Sequence, residues 1–310
     1  MEAIEAAILR TVLYADLFHF PLTIREIHHF LIHDEPIDIE QIRQTLAESS
    51  NLQPYLQCID EYVIYDGQEQ LVTLRQMREA ASEHLWPSAV RYAKWLARLP
   101  FVRMVALTGA LAMHNAADHD DDLDYILVTA PRRVWLARAF SIVLVRLARL
   151  QGTEICPNYV LAESALVQDK HNIFMAHEIA QMVPLYGLGL YEQFRQANAW
   201  VSEQLPNTAG AFYIEAEYTP TGVGLMGKRA IEFLLGGNLG DWLEHWEYRR
   251  KLRRFEPDMK KPHSSAKLDD SHVKGHFDDH GHPVLRQFEE RLTQFGLDAT
   301  SATRATVPGD

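Results

Sequence analysis

Apolar residues recur three and four positions apart in "AIEAAILRTVLYADL", residues 3–17, and this spacing predicts an amphipathic helix. Thr23 stands as a cap before a second helical run in "PLTIREIHHFLIH", and Asp38 as a cap before a third, "PIDIEQIRQTLAES". The pattern then changes to two β-prone runs in "YVIYDGQEQLVTL", and the Asp66-Gly67 pair between them predicts a hairpin. Three helices and a hairpin give the order of a winged helix-turn-helix over residues 1–80, and a long helical pattern over 74–98 follows it.

The next segment alternates short buried runs with helices. "FVRMVALTG" reads as a strand that ends at a glycine, "ALAMHNAA" as a short helix and "LDYILVT" as a second buried strand. "PRRVWLARAFSIVLVRLARL" reads as a helix with Pro131 near its first turn, and "TEICPNYVLA" as a third strand. From residue 170 onward the pattern is helical. The expected units are 1–80, a core over 81–165, a helical region over 166–255, and a final 256–310. That last unit reads as a polar mobile segment, one helix in "PVLRQFEERLTQFG" and a disordered tail, "TSATRATVPGD". The expected class is α/β (α+β): a mixed sheet flanked by helices, with an N-terminal winged-helix module and a C-terminal helical region.

Composition narrows the class. The chain has 310 residues, 47% of them hydrophobic, which supports one large core or several smaller ones. No apolar run approaches the roughly 18 residues of a membrane span. The acidic start "MEAIEAAILR" lacks a basic n-region, so no secretory signal is expected and a cytoplasmic location is. Two cysteines, Cys58 and Cys156, build neither a disulfide framework nor a zinc pattern.

Chemistry concentrates in "TGALAMHNAADHDDDLDYILVT", residues 108–129. Five aspartates, at 118, 120, 121, 122 and 124, crowd the front of a buried run. Burying unpaired like charges is costly, so either the cluster is a solvated turn or a cation sits there. Residues i and i+2 of a strand share a face, so Asp122 and Asp124 point together on a rigid mount. Two carboxylates completed by water and phosphate oxygens suit Mg2+, with Mn2+ as the alternative. Upstream, the strand–Gly109–helix turn presents backbone N–H groups to an anion.

A strand ending in glycine plus a small residue, a short helix, then Asp-x-Asp on the next strand resembles the DNA polymerase beta-like nucleotidyltransferase superfamily over residues 101–162. The resemblance implies that Asp122 and Asp124 are catalytic metal ligands, and that Thr108, Gly109 and Ala110 hold nucleotide phosphates. It implies transfer of a nucleoside monophosphate from a nucleoside triphosphate to an acceptor hydroxyl that the sequence does not name. Two positions depart from the family. Ala110 stands where serine is usual, and the third carboxylate is not obvious: Glu154 and Asn158 share a face by parity, and Glu163 lies near the strand end. These departures define the alternative, a nucleotide-binding regulatory or adaptor protein with a decayed catalytic set.

Other signals carry less. "GVGLMG" fits a dinucleotide fingerprint but lacks the βαβ context, and reads as a hinge before a helix. Histidines 263, 272, 276, 280 and 282 have no fixed spacing for a metal. Charge decides the role of the N-terminal module. Residues 1–80 hold five arginines and no lysine against fourteen carboxylates, a net of −9 within a chain total of −12. Such a surface repels a phosphate backbone, so DNA binding is not expected. A protein or interdomain partner is, with the basic 248–261 segment as the candidate.

Overall fold

A computed structural model describes residues 1–259, 267–274 and 281–297. The expected disordered tail, the histidines at 263, 276 and 280, and parts of the expected mobile segment and of the basic 248–261 run lie outside the described residues. The chain is a mixed α/β protein that, among the described residues, has a three-stranded and a six-stranded sheet.

The N-terminal unit comprises α1 (Ala3–Asp16), β1 (Leu22–Thr23), α2 (Ile24–His29), α3 (Ile39–Glu48), β2 (Leu56–Ile59) and β3 (Tyr62–Tyr65). Its strands pair antiparallel in the order β1-β3-β2. Thr23 and Glu26 close a capping box on α2: the Glu26 backbone N–H donates to Thr23 Oγ1 at 3.3 Å, and the Thr23 N–H donates to Glu26 Oε2 at 2.8 Å. Asp38 caps α3 by accepting from the Glu40 N–H at 2.8 Å.

The hairpin falls one element before the expected place. Its turn is Asp60-Glu61, with Asp60 at φ 52°, whereas Asp66-Gly67 breaks the chain between β3 and α4 (Gln70–Ala97). "QLVTLRQM" resembles a strand over a few residues. Leu71, Val72 and Arg75 nevertheless recur at helical spacing and are all buried, and that longer period wins.

The larger sheet contains β4 (Val102–Leu107), β5 (Leu123–Thr129), β6 (Ile155–Ala162), β7 (Val183–Tyr186), β8 (Lys267–Leu268) and β9 (His272–Lys274), in the order β7-β4-β5-β6-β9-β8. Among the described residues only the β5–β6 pair is parallel, and α6 (Val134–Arg149) makes that crossover. Pro131 lies before α6. The first turn of α6 is capped from a distance: the Trp135 and Leu136 N–H groups donate to the Glu244 carboxylate at 2.8 and 2.9 Å. Between β4 and β5 sits the four-residue α5 (Gly109–Ala112).

Strand β7 replaces part of an expected helix. The run "NIFMAHEIAQMVPLYG" is helical only as far as α7 (Ile173–Ala180). Val183 and Leu185 are buried while Pro184 and Tyr186 are half-buried, and Pro184 is tolerated because β7 is an edge strand. Strands β8 and β9 arise inside the expected polar segment. The sheet therefore draws on residues well beyond 81–165. Beyond β7 come α8 (Leu188–Ala197), α9 (Gly222–Leu234) and α10 (Asn238–Met259), and then α11 (Gly281–Gln294) after β9. "GVGLMG" forms the start of α9 rather than a hinge.

Alternation along β5 sorts its side chains onto two cores. Leu123, Tyr125 and Leu127 pack with Trp135 and Val160 on one face. Ile126 and Val128 pack with Ile173, Ile179 and Phe194 on the other, and Tyr14 and Phe30 of the N-terminal unit join that second core. The N-terminal unit also meets α11 and the 207–213 loop. Arg291 pairs with Asp16, and Asn207 Nδ2 donates to the His28 and Ile37 carbonyls at 2.8 and 3.0 Å. The described part of the basic 248–261 segment belongs to α10, which packs on α6.

Candidate active site

The site lies where β4 ends, β5 begins and β6 runs alongside. The Thr108 N–H donates to the Asp124 carbonyl at 3.0 Å, which carries the ladder one residue past β4. Gly109 then turns with φ +69°, a left-handed conformation that side chains disfavour. A Cβ there would lie 2.5 Å from Asp124 Oδ2, so glycine is what allows the turn to rest against that carboxylate. Ala110 is exposed at the mouth of the site.

Asp124 is the second residue of β5, on the face that carries Ile126. Asn158 Nδ2 donates to Asp124 Oδ1 at 2.5 Å, and the Cys156 thiol donates to Asn158 Oδ1 at 2.7 Å. Asn158 reaches this position through a β-bulge. Tyr125 pairs with Pro157 and Ile126 with Tyr159, leaving Asn158 as the extra residue. The bulge reverses the alternation of β6: Ile155 and Val160 face one core, Tyr159 and Leu161 the other.

Burial pushes the Asp124 carboxyl up to about 7, against the hydrogen bond from Asn158, and the charges acting on it come from Asp122, Glu178 and Asp121. A buried carboxylate among carboxylates favours either a proton or a cation. Asp122 precedes the strand and is exposed; burial, then Glu154 and Asp121, raise its carboxyl as well. Glu154 is exposed and pairs with Arg149. Asp118 and Asp121 serve their own turn, accepting from the Asp120 and Ala117 N–H groups at 2.9 and 2.8 Å. His114 packs between Trp86 and Tyr213, with ring centroids 4.8 and 4.3 Å away.

A cavity of about 710 Å3 opens beside Asp124, lined also by Thr108, Gly109, Ala110 and Asn158. Asp122 and Glu154 do not line it. Polar residues not anticipated from sequence do, among them Glu178 and Gln181 from the α7 end and Lys274 from β9. Gln181 Nε2 donates to Glu178 Oε1 at 2.7 Å, and burial raises the Glu178 carboxyl while Lys274 opposes that shift. Glu178 had no sequence signal beyond "HEIAQ", an incomplete zinc-protease pattern.

Among the described residues, no group of three or more His, Cys, Asp or Glu is placed to hold a metal. The donor set of Asp122 and Asp124 still fits Mg2+, which takes one or two carboxylates and keeps its waters. No protein-family model, no curated protein and no solved structure matches this chain.

Proposed function

We propose that the protein is a divalent-metal-dependent nucleotidyltransferase that moves a nucleoside monophosphate from a nucleoside triphosphate to an acceptor hydroxyl. The observation that carries this reading is the Gly109 turn lying against Asp124, with no room for a side chain between them. A tight backbone turn over a buried carboxylate suits a site where phosphate oxygens and a cation meet. Mg2+, when bound, would neutralise the phosphates and the developing negative charge. Asp122 and Asp124 would hold it, Asp122 from the solvent side and Asp124 from the cavity side. Asn158 fixes the orientation of Asp124, and Thr108 and Gly109 border the space for phosphate oxygens. The mixed sheet with the glycine turn between two antiparallel strands agrees with the polymerase-beta-like resemblance, and the N-terminal unit with the winged-helix one.

Asn158 in place of a third carboxylate, together with Ala110, favours a second reading: a nucleotide-binding regulatory protein that has lost transfer. One experiment separates the two. Purified protein is incubated with each nucleoside triphosphate and Mg2+ or Mn2+, with binding followed by thermal shift and transfer by mass spectrometry. Transfer supports the enzyme, and binding without transfer supports the regulator. Asp122→Asn and Asp124→Asn should each remove the metal-dependent part of binding. Unchanged metal-dependent binding in both would overturn the site.

A further inference from the structure

The cavity beside Asp124 has two unlike ends. At one end lie Asp124, Asn158 and Thr108. Much of the remainder is apolar, with Tyr14, Phe18 and Phe30 of the N-terminal unit and Ile126, Met175 and Phe194 of the core side among its walls, beside polar residues such as Gln168 and Gln181. Its volume of about 710 Å3 is that of a small-molecule site. Of its described lining residues only Asp124, Glu178 and Lys274 carry a formal charge, His177 being held neutral at pH 7 by burial. A polycation would need several uncommitted carboxylates, whereas Glu178 is tied to Gln181 and faces the charge of Lys274. An oligonucleotide or a triphosphate would need several cations, and among the described lining residues only Lys274 is one. The triphosphate therefore belongs at the rim of the cavity, where Thr108, Gly109 and exposed Ala110 border it and Asp122 faces solvent.

We propose that this cavity binds a neutral compound with an aromatic or aliphatic body and a hydroxyl group, and that this hydroxyl is the acceptor; the assignment as acceptor rests on the nucleotidyltransfer reading above. The apolar body lies against Tyr14, Phe18, Phe30 and Met175, and the hydroxyl lies at the Asp124 end. The hydroxyl oxygen forms a bond to the α-phosphorus of the nucleoside triphosphate. The bond from that phosphorus to the bridging β-phosphate oxygen breaks, pyrophosphate leaves, and the hydroxyl proton passes to water. The N-terminal unit thus contributes a substrate wall, in keeping with a surface too acidic for DNA.

The test uses the full chain and 1-pyrenebutanol, a neutral aromatic alcohol whose emission reports the polarity around it. Saturable binding with an apolar emission signature is expected, and no saturable binding of kanamycin or of an oligoadenylate. Met175→Trp fills the chamber, and Phe18→Asp charges its wall at a side chain already 37% exposed, so folding tolerates the change. Each should weaken binding by about tenfold or more. If Met175→Trp unfolds, Phe18→Asp carries the comparison. Absence of saturable binding, unchanged affinity in the folded variants, or preference for kanamycin or the oligonucleotide would overturn the proposed ligand class. Addition of nucleoside triphosphate and Mg2+ then separates the two readings. A nucleotidylated alcohol supports both, whereas binding without that product supports the ligand class and overturns its role as acceptor.

Discussion

Asn158 donates to Asp124 across the parallel β5–β6 pair, at 2.5 Å, from a bulge that leaves it without a partner residue in the ladder. On the nucleotidyltransferase reading, Asn158 stands, like Glu154, at a candidate position for a third carboxylate. Asn158→Asp should therefore destabilise the metal-free protein above pH 7, because two buried carboxylates would face each other. Thermal melts should show a lower Tm without metal and a larger stabilisation by Mn2+ than in the wild type. An unchanged response to Mn2+ would show that position 158 lies outside the metal's reach.

Asp124→Asn should stabilise the metal-free protein, and the sign depends on pH. In the fold the carboxyl keeps its proton up to about 7, against a usual value of 3.8. Between these values the folded chain binds more protons than the unfolded chain, so stability falls as pH rises through the window. The variant removes that penalty. Its Tm should exceed the wild type at pH 8 and approach it at pH 4, with each kcal/mol worth roughly 2–4 °C in a chain of this size.

Gly109→Ala should be destabilising and should abolish divalent-dependent nucleotide binding. A left-handed residue with a Cβ costs about 1–2 kcal/mol, and here the new atom also meets Asp124 Oδ2 at 2.5 Å. Chemical denaturation gives the first effect and a nucleotide thermal shift the second. Wild-type nucleotide binding in a folded Gly109→Ala would separate this turn from the phosphates.

Arg75 anchors α4 to the N-terminal unit. It pairs with Glu26 at 2.8 Å and Glu79 at 2.6 Å, and its guanidinium sits 3.7 Å from the centre of the Phe20 ring. Arg75 and Glu26 are both 1% exposed, so removing one strands the other. Arg75→Met should cost about 3–5 kcal/mol in urea unfolding. A loss below about 1 kcal/mol, the range of surface pairs, would show that water reaches this network.

His177 stacks on Tyr14 with ring centroids 4.1 Å apart, at the seam between the N-terminal unit and the core. Burial lowers its pKa from 6.5 to about 4. The unfolded chain therefore binds the extra proton between those values, and stability present above pH 6.5 is lost as pH falls toward 4. His177→Phe keeps a ring against Tyr14 and should shift acid unfolding to lower pH, read by the intrinsic fluorescence of the tryptophans.

The sequence by itself determined the local elements and the residues that start the site. Caps at Thr23 and Asp38, the apolar run at 123–129 and the glycine after "FVRMVALT" act within a few residues, so their spacing is legible in one dimension. Gly109 and Asp124 stood out in the same way, one as a turn residue and the other as a carboxylate at the front of a buried strand. Only the tertiary structure decided what surrounds them. The bulge at Asn158 depends on pairing with β5 and reverses the alternation of β6 beyond it, so that Tyr159 and Leu161 join the second core. Glu178 and Lys274 reach the cavity from α7 and β9, and β9 is a three-residue strand with almost no pattern of its own that exists because β6 offers it a ladder. The cavity itself is formed where aromatic residues near the N-terminus meet a sheet more than a hundred positions later. Periodicity reports which face of an element is buried. Which other element covers that face is fixed by packing between distant parts of the chain.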